Sequence, residues 1–423
     1  MKPSGIEWIG DIPDDWEVKK LKYVSELDPS ISEFLSDNDI VSFVPMECLG
    51  EQTLSPYETE YGKVKGKYTY FANEDIIMAK VTPCFENGNI AIAKNLKNNV
   101  GFGSSELFVF RTKSVSNSFL MYTLYSEPFK SLAKSTMYGT GGLKRVSPNF
   151  ILNYKIPFPP LKTQQKIADY LDEKCGEIDA TIAKQKESIE KLKAYKQSLI
   201  SETVTKGLDK FAPLKPSGID YLGDIPNDWE VIKTKFLFNV YGGSTPKVNV
   251  PEYWGDKITW ITPGELGDDI KIVLNSKRML SEKGLNSCGA TLVSKGSIII
   301  SNRAPIGQVC LAGSELCTNQ GCKSLVAKIK LSCLFFYYFF KVQSEVLNML
   351  GNGTTFMELS TSDLLNFKIP CPTIKEQQKI ADYLDSKCSQ IDKYITEKQN
   401  IIQKLDAYKK SLIFEYVTGK QKI

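Results

Sequence analysis

Apolar residues recur every three or four positions through two long segments of the chain, at residues 164–205 and 377–417, with polar residues between them. This spacing, held for about four heptads, predicts two α-helices with coiled-coil seams. At 1.5 Å per residue, each helix should be roughly 60 Å long. The predicted seam residues are Leu171, Cys175, Ile178, Ile182, Ile189, Leu192 and Leu199 in the first helix and Leu384, Cys388, Ile391, Ile395, Ile402, Leu405 and Leu412 in the second.

The two helical segments are copies of one another. Residues 164–172 and 377–385 are identical, at an offset of 213 residues. The same offset relates two lead segments, which share the sequences Gly-Asp-Ile-Pro and Asp-Trp-Glu-Val. The chain therefore consists of two units of equal length. Trp16 and Trp229, one in each lead segment, are predicted to be core anchors.

Residues 20–150 and 233–363 share this offset but few residues. Short β-branched and aromatic runs separated by Gly, Pro and Asn predict a mixed α/β globule in each stretch. The predicted strands are residues 68–71, 76–79, 90–93, 107–110, 258–261, 298–300 and 325–327. A helix is predicted at 115–126 and at 333–350, each followed by a Gly-rich loop, at 139–142 and 351–353. Two helices joined through one globule pack most simply antiparallel, which gives a pseudo-twofold arrangement.

Composition is ordinary for a soluble globular protein, with 42% hydrophobic and 24% charged residues among 423. The net charge of +4 permits nucleic acid as a partner but argues for it only weakly. The N-terminal residues lack the apolar core of a signal peptide, and no apolar run is long enough to span a bilayer. These features predict a soluble cytoplasmic protein.

The absence of histidine restricts the chemistry of the chain. It excludes a mixed Cys/His zinc site and removes the commonest general base. The ten cysteines form no C-x-x-C pair, and Cys175 and Cys388 are predicted to be small buried apolar residues of the seam.

No catalytic motif was found. No stretch matches a P-loop, and residues 158–161, Phe-Pro-Pro-Leu, lack both ends of an amino-methyltransferase tetrad. A nuclease-like set at residues 13–19 is too tightly spaced and is broken in the second copy. We therefore predict no catalytic residue, no metal site and no cofactor bound by this chain.

Polar residues beside glycines are the remaining candidates for a binding site. Arg and Lys suit guanine edges and phosphates, and Asn and Gln suit adenine, although each residue could equally be an ordinary solvated loop residue. The DNA-binding candidates are Lys80, Thr82, Ser104, Ser105, Lys144, Arg145, Ser244, Thr245, Lys247, Asn302, Arg303, Asn319, Gln320, Thr354 and Thr355.

The tandem layout resembles the specificity subunit of type I restriction–modification systems over essentially the whole chain. The resemblance rests on the repeated Gly-Asp-Ile-Pro-x-x-Trp lead and on the Pro-Pro-Leu-Lys-x-Gln-Gln-Lys-Ile-Ala helix start. Residues 372–374, Pro-Thr-Ile, depart slightly from the second motif. Residues 75–77 and 296–299 resemble a strand inside each target-recognition domain of that family.

The resemblance implies an α+β fold with two mixed α/β target-recognition globules separated by two long antiparallel coiled-coil helices. Target-recognition domain 1 with its lead segment would occupy residues 1–158, and domain 2 with its lead segment residues 208–371. The long helices would occupy residues 159–207 and 372–423 as spacers.

The resemblance also implies that each domain recognises one half of a bipartite site in double-stranded DNA. The helix pair would set the gap and dock two modification (methyltransferase) subunits, which bring S-adenosylmethionine and flip the target adenine. Restriction (translocase and nuclease) subunits are an optional further partner, and the specificity subunit itself is not catalytic.

Two other functions stay open at this point. A single-chain DNA methyltransferase or nuclease with unfamiliar motifs would modify DNA alone, given S-adenosylmethionine or Mg²⁺. A coiled-coil adaptor would bind proteins instead of DNA, and its complex would show no salt-dependent duplex binding.

Overall fold

The two repeated segments each form one unbroken helix, and globular domains precede both. A computed structural model describes residues 1–31, 35–140, 142–267, 270–351 and 357–422. Its contacts divide the chain into unit 1, which is Met1–Lys186 with Gln399–Ile423, and unit 2, which is Glu187–Lys398. Because the division falls inside both long helices, each unit contains one globular domain and a part of each helix.

Domain 1 consists of short strands and short helices. Its strands are β1 Lys2–Pro3, β2 Asp11–Ile12, β3 Glu17–Lys20, β4 Ser25–Leu27, β5 Ile40–Val44, β6 Tyr57–Glu60, β7 Thr69–Ala72, β8 Ile76–Ala79, β9 Ile90–Ile92, β10 Val100–Gly103, β11 Leu107–Thr112 and β12 Lys155–Phe158. Its helices are α1 Leu21–Val24, α2 Tyr61–Val64, α3 Asn117–Tyr125, α4 Glu127–Ser135 and α5 Pro148–Asn153, with 3-10 turns at Met46–Cys48 and Lys97–Asn99. The first long helix, α6 Leu161–Lys206, follows.

Domain 2 repeats this plan. Its strands are β13 Leu214–Pro216, β14 Asp224–Pro226, β15 Glu230–Lys233, β16 Phe238–Gly242, β17 Trp254–Gly255, β18 Ile258–Ile261, β19 Ile272–Val273, β20 Met279–Leu280, β21 Ile298–Ser301, β22 Val309–Ala312, β23 Leu316–Thr318, β24 Cys322–Ala327 and β25 Lys368–Cys371. Its helices are α7 Thr234–Leu237, α8 Glu282–Asn286, α9 Cys333–Val342, α10 Ser344–Met349 and α11 Thr361–Asn366, with 3-10 turns at Pro251–Tyr253 and Pro263–Glu265. The second long helix is α12 Ile374–Val417.

The two domains share a sheet topology although they share few residues. In domain 1 one sheet has the order β4-β11-β8-β9, and in domain 2 the corresponding order is β16-β24-β21-β22, extended by β19. A second sheet in each domain contains one parallel pair, β5 with β10 and β18 with β23. The strand before each long helix pairs with the lead segment, β12 with β3 and β25 with β15. The repeat therefore extends through the whole domain at the level of the backbone.

In unit 1 the two long helices pack against each other in antiparallel directions. Leu171 and Ile178 of α6 share one buried core with Leu412 and Val417 of α12. Near this core, the Lys409 ammonium donates to the Asp179 carboxylate at 2.8 Å. The lysine side chain is only 8% exposed, because its stem packs in the apolar contact, whereas the Asp179 side chain is 52% exposed and stays in contact with water.

Unit 2 contains the same arrangement built from the other parts of the helices. Ile200 and Val204 of α6 share a core with Leu384 of α12, and Lys196 donates to Asp392 at 2.6 Å. Because Lys196 corresponds to Lys409 and Asp392 to Asp179 in the repeat, one ion pair occurs twice with the helices exchanged. The predicted fold class, mixed α/β domains with two long antiparallel helices, is confirmed.

The predicted seam is confirmed in part. In α12, Leu384, Cys388, Ile391 and Leu412 are buried, and Ile395, Ile402 and Leu405 are half-buried. In α6, the seam residues from Leu171 to Ile189 are buried, but Leu192 and Leu199 are only half-buried, and the buried positions there are Ile200 and Val204. An ideal helix drifts by about 20° per heptad from a strict 3.5-residue repeat, so the buried face moves by one position over several turns.

The residues shared by the two helices attach each domain to its helix. Gln164 is fully buried, donates through Nε2 to the Pro159 carbonyl oxygen at 2.8 Å, and accepts the Ser116 N–H at 2.8 Å. Gln377 makes the same two bonds in unit 2, at 2.9 and 3.0 Å. A buried amide with both ends bonded tolerates little change, which explains its identity in both copies.

The predicted core tryptophans are confirmed and lie where the long helices end. Trp16 is 4% exposed and Trp229 is fully buried. Gly419, which follows α12, has φ of +72° and lies against Trp16, and Gly207, which follows α6, has φ of +76° and lies against Trp229. Glycine suits both helix ends because only it adopts this left-handed conformation without steric cost.

Of the two helices predicted inside the globular domains, the first is present and the second is divided. The predicted helix at 115–126 begins two residues later, as α3, and a separate α4 with Pro128 in its first turn follows. The predicted helix at 333–350 is divided at Gln343 into α9 and α10. None of the helices in the described part of the chain combines the length and hydropathy that a bilayer-spanning segment requires.

We expect the seam to contribute strongly to stability. Leu171→Ala and Leu384→Ala each remove a fully buried side chain and should lower the free energy of unfolding by about 2–5 kcal/mol. The measurement is urea denaturation followed by circular dichroism. Ile401→Ala is the matched control: this α12 side chain is 42% exposed, and its loss should change stability by less than about 0.5 kcal/mol. Equal effects at all three positions would contradict the packing described.

Candidate nucleic-acid interface

In domain 1, the structure brings most of the predicted site residues together at one end of the β8–β11 sheet. We call residues 80–82, 104–106 and 142–145 loop cluster 1. The Thr82 hydroxyl donates to the Gly142 carbonyl oxygen at 2.6 Å and accepts the Lys144 N–H at 3.0 Å. The Lys80 N–H donates to the Glu106 carbonyl oxygen at 2.9 Å. Three loops that are distant in sequence are thus tied into one surface.

The exposed polar groups of loop cluster 1 are basic and hydroxylic. Lys144 and Ser105 are exposed, Lys80, Thr82 and Ser104 are half-buried, and the Ser104 hydroxyl accepts the Glu106 N–H at 3.2 Å. Lys144 has no side-chain partner within the described ranges. Its ammonium is therefore available to a ligand.

Arg145 is held by a carboxylate in the same cluster. Its Nε and Nη2 donate to the two Glu106 oxygens, with distances of 2.8 and 2.7 Å. This hydrogen bonding lowers the pKa of the Glu106 carboxyl and raises the pKa of Arg145. Both groups are therefore charged at neutral pH, and the guanidinium is fixed in direction.

In domain 2, the structure gathers a corresponding set, which we call loop cluster 2 and which comprises residues 244–245, 302–303, 319–321 and 358. The Ser244 N–H donates to the Thr318 carbonyl oxygen at 2.9 Å, and the Thr245 hydroxyl bonds the Gln320 side chain. The Asn319 side-chain oxygen accepts the Gly321 N–H at 2.9 Å. These contacts join the loop after β16 to the loop between β23 and β24.

A glycine permits this close approach of loops. A Cβ at Gly243 would lie 2.0 Å from the Asn319 carbonyl oxygen, which no side chain could accommodate without backbone movement. Only glycine allows the two backbones to come so near. Gly243 therefore shapes the surface that carries Ser244 and Thr245.

Asn302 and Arg303 continue directly from strand β21. The Asn302 N–H donates to the Gly321 carbonyl oxygen at 2.9 Å, and its side-chain amide donates to Glu358 at 2.8 Å. Arg303 is exposed and also bonds Glu358, at 2.9 Å. Asn302 is fully buried, so its amide fixes the Glu358 carboxylate from the interior of the domain.

The remaining candidates do not join these clusters. Lys247 is exposed, and among the described residues its side chain contacts no other candidate. Thr354 and Thr355 lie outside the described residues, as do Gly141, Asn352 and Gly353 of the predicted Gly-rich loops.

Sequence reasoning missed Glu106 and Glu358. Acidic residues are not expected at a surface that binds an anion such as DNA. A signal was nevertheless present, since positions 145 and 358 are related by the repeat offset and carry opposite charges.

Both clusters present groups that can form hydrogen bonds with a ligand. Loop cluster 1 has cations and hydroxyls, and loop cluster 2 has amides in addition. Within the ranges that the structure describes, no group of three or more acidic or cysteine side chains is placed to hold a metal ion.

Comparison with known proteins agrees with the architecture. The family model for the type I restriction modification DNA specificity domain matches residues 13–193 and 226–407, one match for each repeat. The type I restriction enzyme MjaIX specificity subunit of Methanocaldococcus jannaschii is 42% identical over 166 residues, which are 38% of this chain and 38% of that subunit. The chain therefore spans well under two thirds of that relative's length.

Two further similarities cover the whole chain. The type I restriction enzyme MjaVIII specificity subunit of the same organism is 25% identical over 430 residues, 97% of this chain and 94% of that one. A chain from a solved type I R-M system, studied for its complex assembly and conformational transition, has a TM-score of 0.76 at 19% identity and covers 97% of this chain and 100% of its own. That similarity supports the fold.

Lys144→Ala tests whether loop cluster 1 faces DNA. Removing an exposed ammonium that contacts phosphate should weaken binding to all duplex sequences alike and reduce the salt slope of log K by about one. Fluorescence anisotropy over a range of salt concentrations measures both. Lys113→Ala is the control, because this exposed lysine follows the opposite end of β11. An unchanged slope for Lys144→Ala would place this loop away from DNA.

Proposed function

This chain belongs to the type I restriction modification DNA specificity family, and we propose that it is the DNA sequence-recognition subunit of a type I restriction–modification complex. In this proposal domain 1 and domain 2 each recognise one half of a bipartite site in double-stranded DNA. One observation carries it. Two domains of the same topology carry different side chains at the same loop cluster, while the helices that bear them are matched.

That contrast has a physical explanation in the proposed function. Each half-sequence requires its own arrangement of donors and acceptors on the base edges. Attachment to the helices requires the same contacts in both units, such as those of Gln164 and Gln377. Selection on the two parts therefore differs, so the domains diverge while the contacts that attach them to the helices are kept.

The chain itself is non-catalytic in this proposal. Two modification (methyltransferase) subunits dock on the long helices and supply S-adenosylmethionine, and restriction subunits are an optional addition. The lack of histidine and of the methyltransferase and P-loop motifs in the sequence supports this division of labour. The complex would act on chromosomal DNA in the cytoplasm.

The proposed role of the helix pair is to set the distance between the two half-sites. Each helix contributes residues to both units. The antiparallel contacts in each unit, with the repeated Lys–Asp pair, support a fixed axial register between the helices. A fixed register would give a fixed number of base pairs between the half-sites.

Methylome sequencing tests the main proposal. A host that expresses this chain with its modification subunit should carry methylated adenine in an asymmetric two-part sequence. Exchanging residues 233–363 for those of another family member should change one half-sequence only, because domain 1 and both helices are retained. Methylation without a bipartite sequence, or a change in both halves, would exclude the proposed division between domains.

Insertion of one helical step tests the spacing role. Adding four residues after Ile189 and four after Ile402 lengthens both helices by roughly 6 Å. The gap should grow by one or two base pairs while both half-sequences stay the same, as determined by methylome sequencing. The control inserts four residues after Asp209, outside both long helices, and should leave the gap unchanged. If the helix insertions left a methylating complex with the original gap, another element would set the spacing.

A further inference from the structure

The same backbone contact occurs in both loop clusters, and one of its two positions carries opposite charges in the two domains. In domain 1 the bridge joins Val81 to Arg145, and in domain 2 it joins Arg303 to Glu358. Val81 and Arg303 each lie two residues beyond the equivalent strands β8 and β21, and positions 145 and 358 are related by the repeat offset. One position thus carries arginine in domain 1 and glutamate in domain 2.

Despite this difference, each cluster contains one arginine whose guanidinium group is hydrogen-bonded to one glutamate. In loop cluster 1, Arg145 donates through Nε and Nη2 to Glu106. In loop cluster 2, Arg303 donates through Nε at 3.0 Å and through Nη2 at 2.9 Å to one oxygen of Glu358. The shared feature is the paired guanidinium, because the residues that supply it differ between the domains.

Among the residues that the structure describes, no partner contacts the outer edge of either guanidinium. A guanidinium has five N–H donors, and the glutamate takes those on Nε and one on Nη2. The remaining donors on Nη1 and Nη2 form the outer edge, which matches the O6 and N7 acceptors of guanine in the major groove. The Arg145 and Arg303 side chains are 37% and 44% exposed, so this edge is accessible.

The glutamates would otherwise oppose the proposed function. A carboxylate on a surface that approaches phosphates is repelled by them. In domain 2, Glu358 is bonded further, since its second oxygen accepts the buried Asn302 amide at 2.8 Å. A carboxylate that is committed on both oxygens holds its arginine in one orientation, and that orientation offsets the unfavourable charge.

We propose, on the basis of the proposed function, that Arg145 and Arg303 each recognise a guanine, one in each half-site. Glu106 and Glu358 are the positioning residues that fix the direction of these guanidinium groups. Loop cluster 1 and loop cluster 2 therefore apply the same recognition chemistry from different positions in the chain.

The test uses the assembled methyltransferase complex and DNA in which one half-site is randomised. Arg145→Ala should reduce the preference for guanine at one position of one half-site by roughly 5- to 150-fold, with the other half-site unchanged. Arg145→Lys keeps the charge but lacks the planar pair of donors, so it should lose the same preference. Glu106→Gln should weaken this preference without abolishing binding.

A charge exchange separates recognition from a purely structural ion pair. The double variant Glu106→Arg with Arg145→Glu restores the pair and gives position 145 the charge that position 358 has in domain 2. Its Tm should return towards that of the unmodified complex, but the guanine preference should stay lost, because the guanidinium now starts from another loop. Arg303→Glu with Glu358→Arg provides the same comparison for the other half-site.

Each contrary result has a distinct meaning. Recovery of the original methylation pattern by the double variant would show a structural pair only and overturn the inference. Uniform weakening of all sequences by Arg145→Ala would identify a phosphate contact and overturn it as well. If the unmodified complex methylated no bipartite site, the proposed function would fail, independently of the variants.

Discussion

The antiparallel contact between the two long helices is the constraint on which the structure depends. In each unit, apolar side chains from both helices share one core with the globular domain, as Leu171 and Val417 do in unit 1 and Leu384 and Val204 in unit 2. The Lys–Asp pair beside each core adds a directional contact to the non-directional burial. Neither helix could bury its apolar stripe alone, so each domain depends on a helix from the other repeat.

The repeat separates two kinds of requirement. Residues that attach a domain to its helix are the same in both copies, because a buried amide such as that of Gln164 must find the same partners. Residues at the loop clusters differ, because they face outward from a conserved backbone topology. The Arg–Glu pairs show how far this freedom extends: the charge at one equivalent position is reversed, yet a held guanidinium is present in both clusters.

Most of the helices and strands could be predicted from the sequence. Helical periodicity and the identical residues predicted both ends of each long helix to within three residues. The apolar runs at residues 76–79 and 258–261 predicted strands at their observed bounds. Local pattern carries such information because it reflects burial directly. The helix α4 and the break at Gln343 were not predicted. Apolar residues continue on both sides of Gln343, so the local pattern does not show that break.

The site was less predictable for a physical reason. Which loops meet is decided by sheet order, and the contact of Thr82 with residues 142 and 144 joins segments about 60 positions apart. The sequence pattern identified the basic residues as candidates. The burial of Asn302 and the roles of Glu106 and Glu358 depend on tertiary contacts between loops, which the pattern does not show. The presence of an acidic residue on the proposed DNA-binding surface is explained only when its arginine partner is known.

The most direct measurement of the central claim is a double-mutant cycle between Lys409 and Asp179, which are 230 positions apart in the sequence. The variants are Lys409→Ala, Asp179→Ala and the double variant, with unfolding free energies measured in urea at low salt. We expect a favourable coupling free energy of about 1 kcal/mol, because the pair exists only if α6 and α12 lie antiparallel in this register. A coupling of zero within error would show that these helices do not meet in this way.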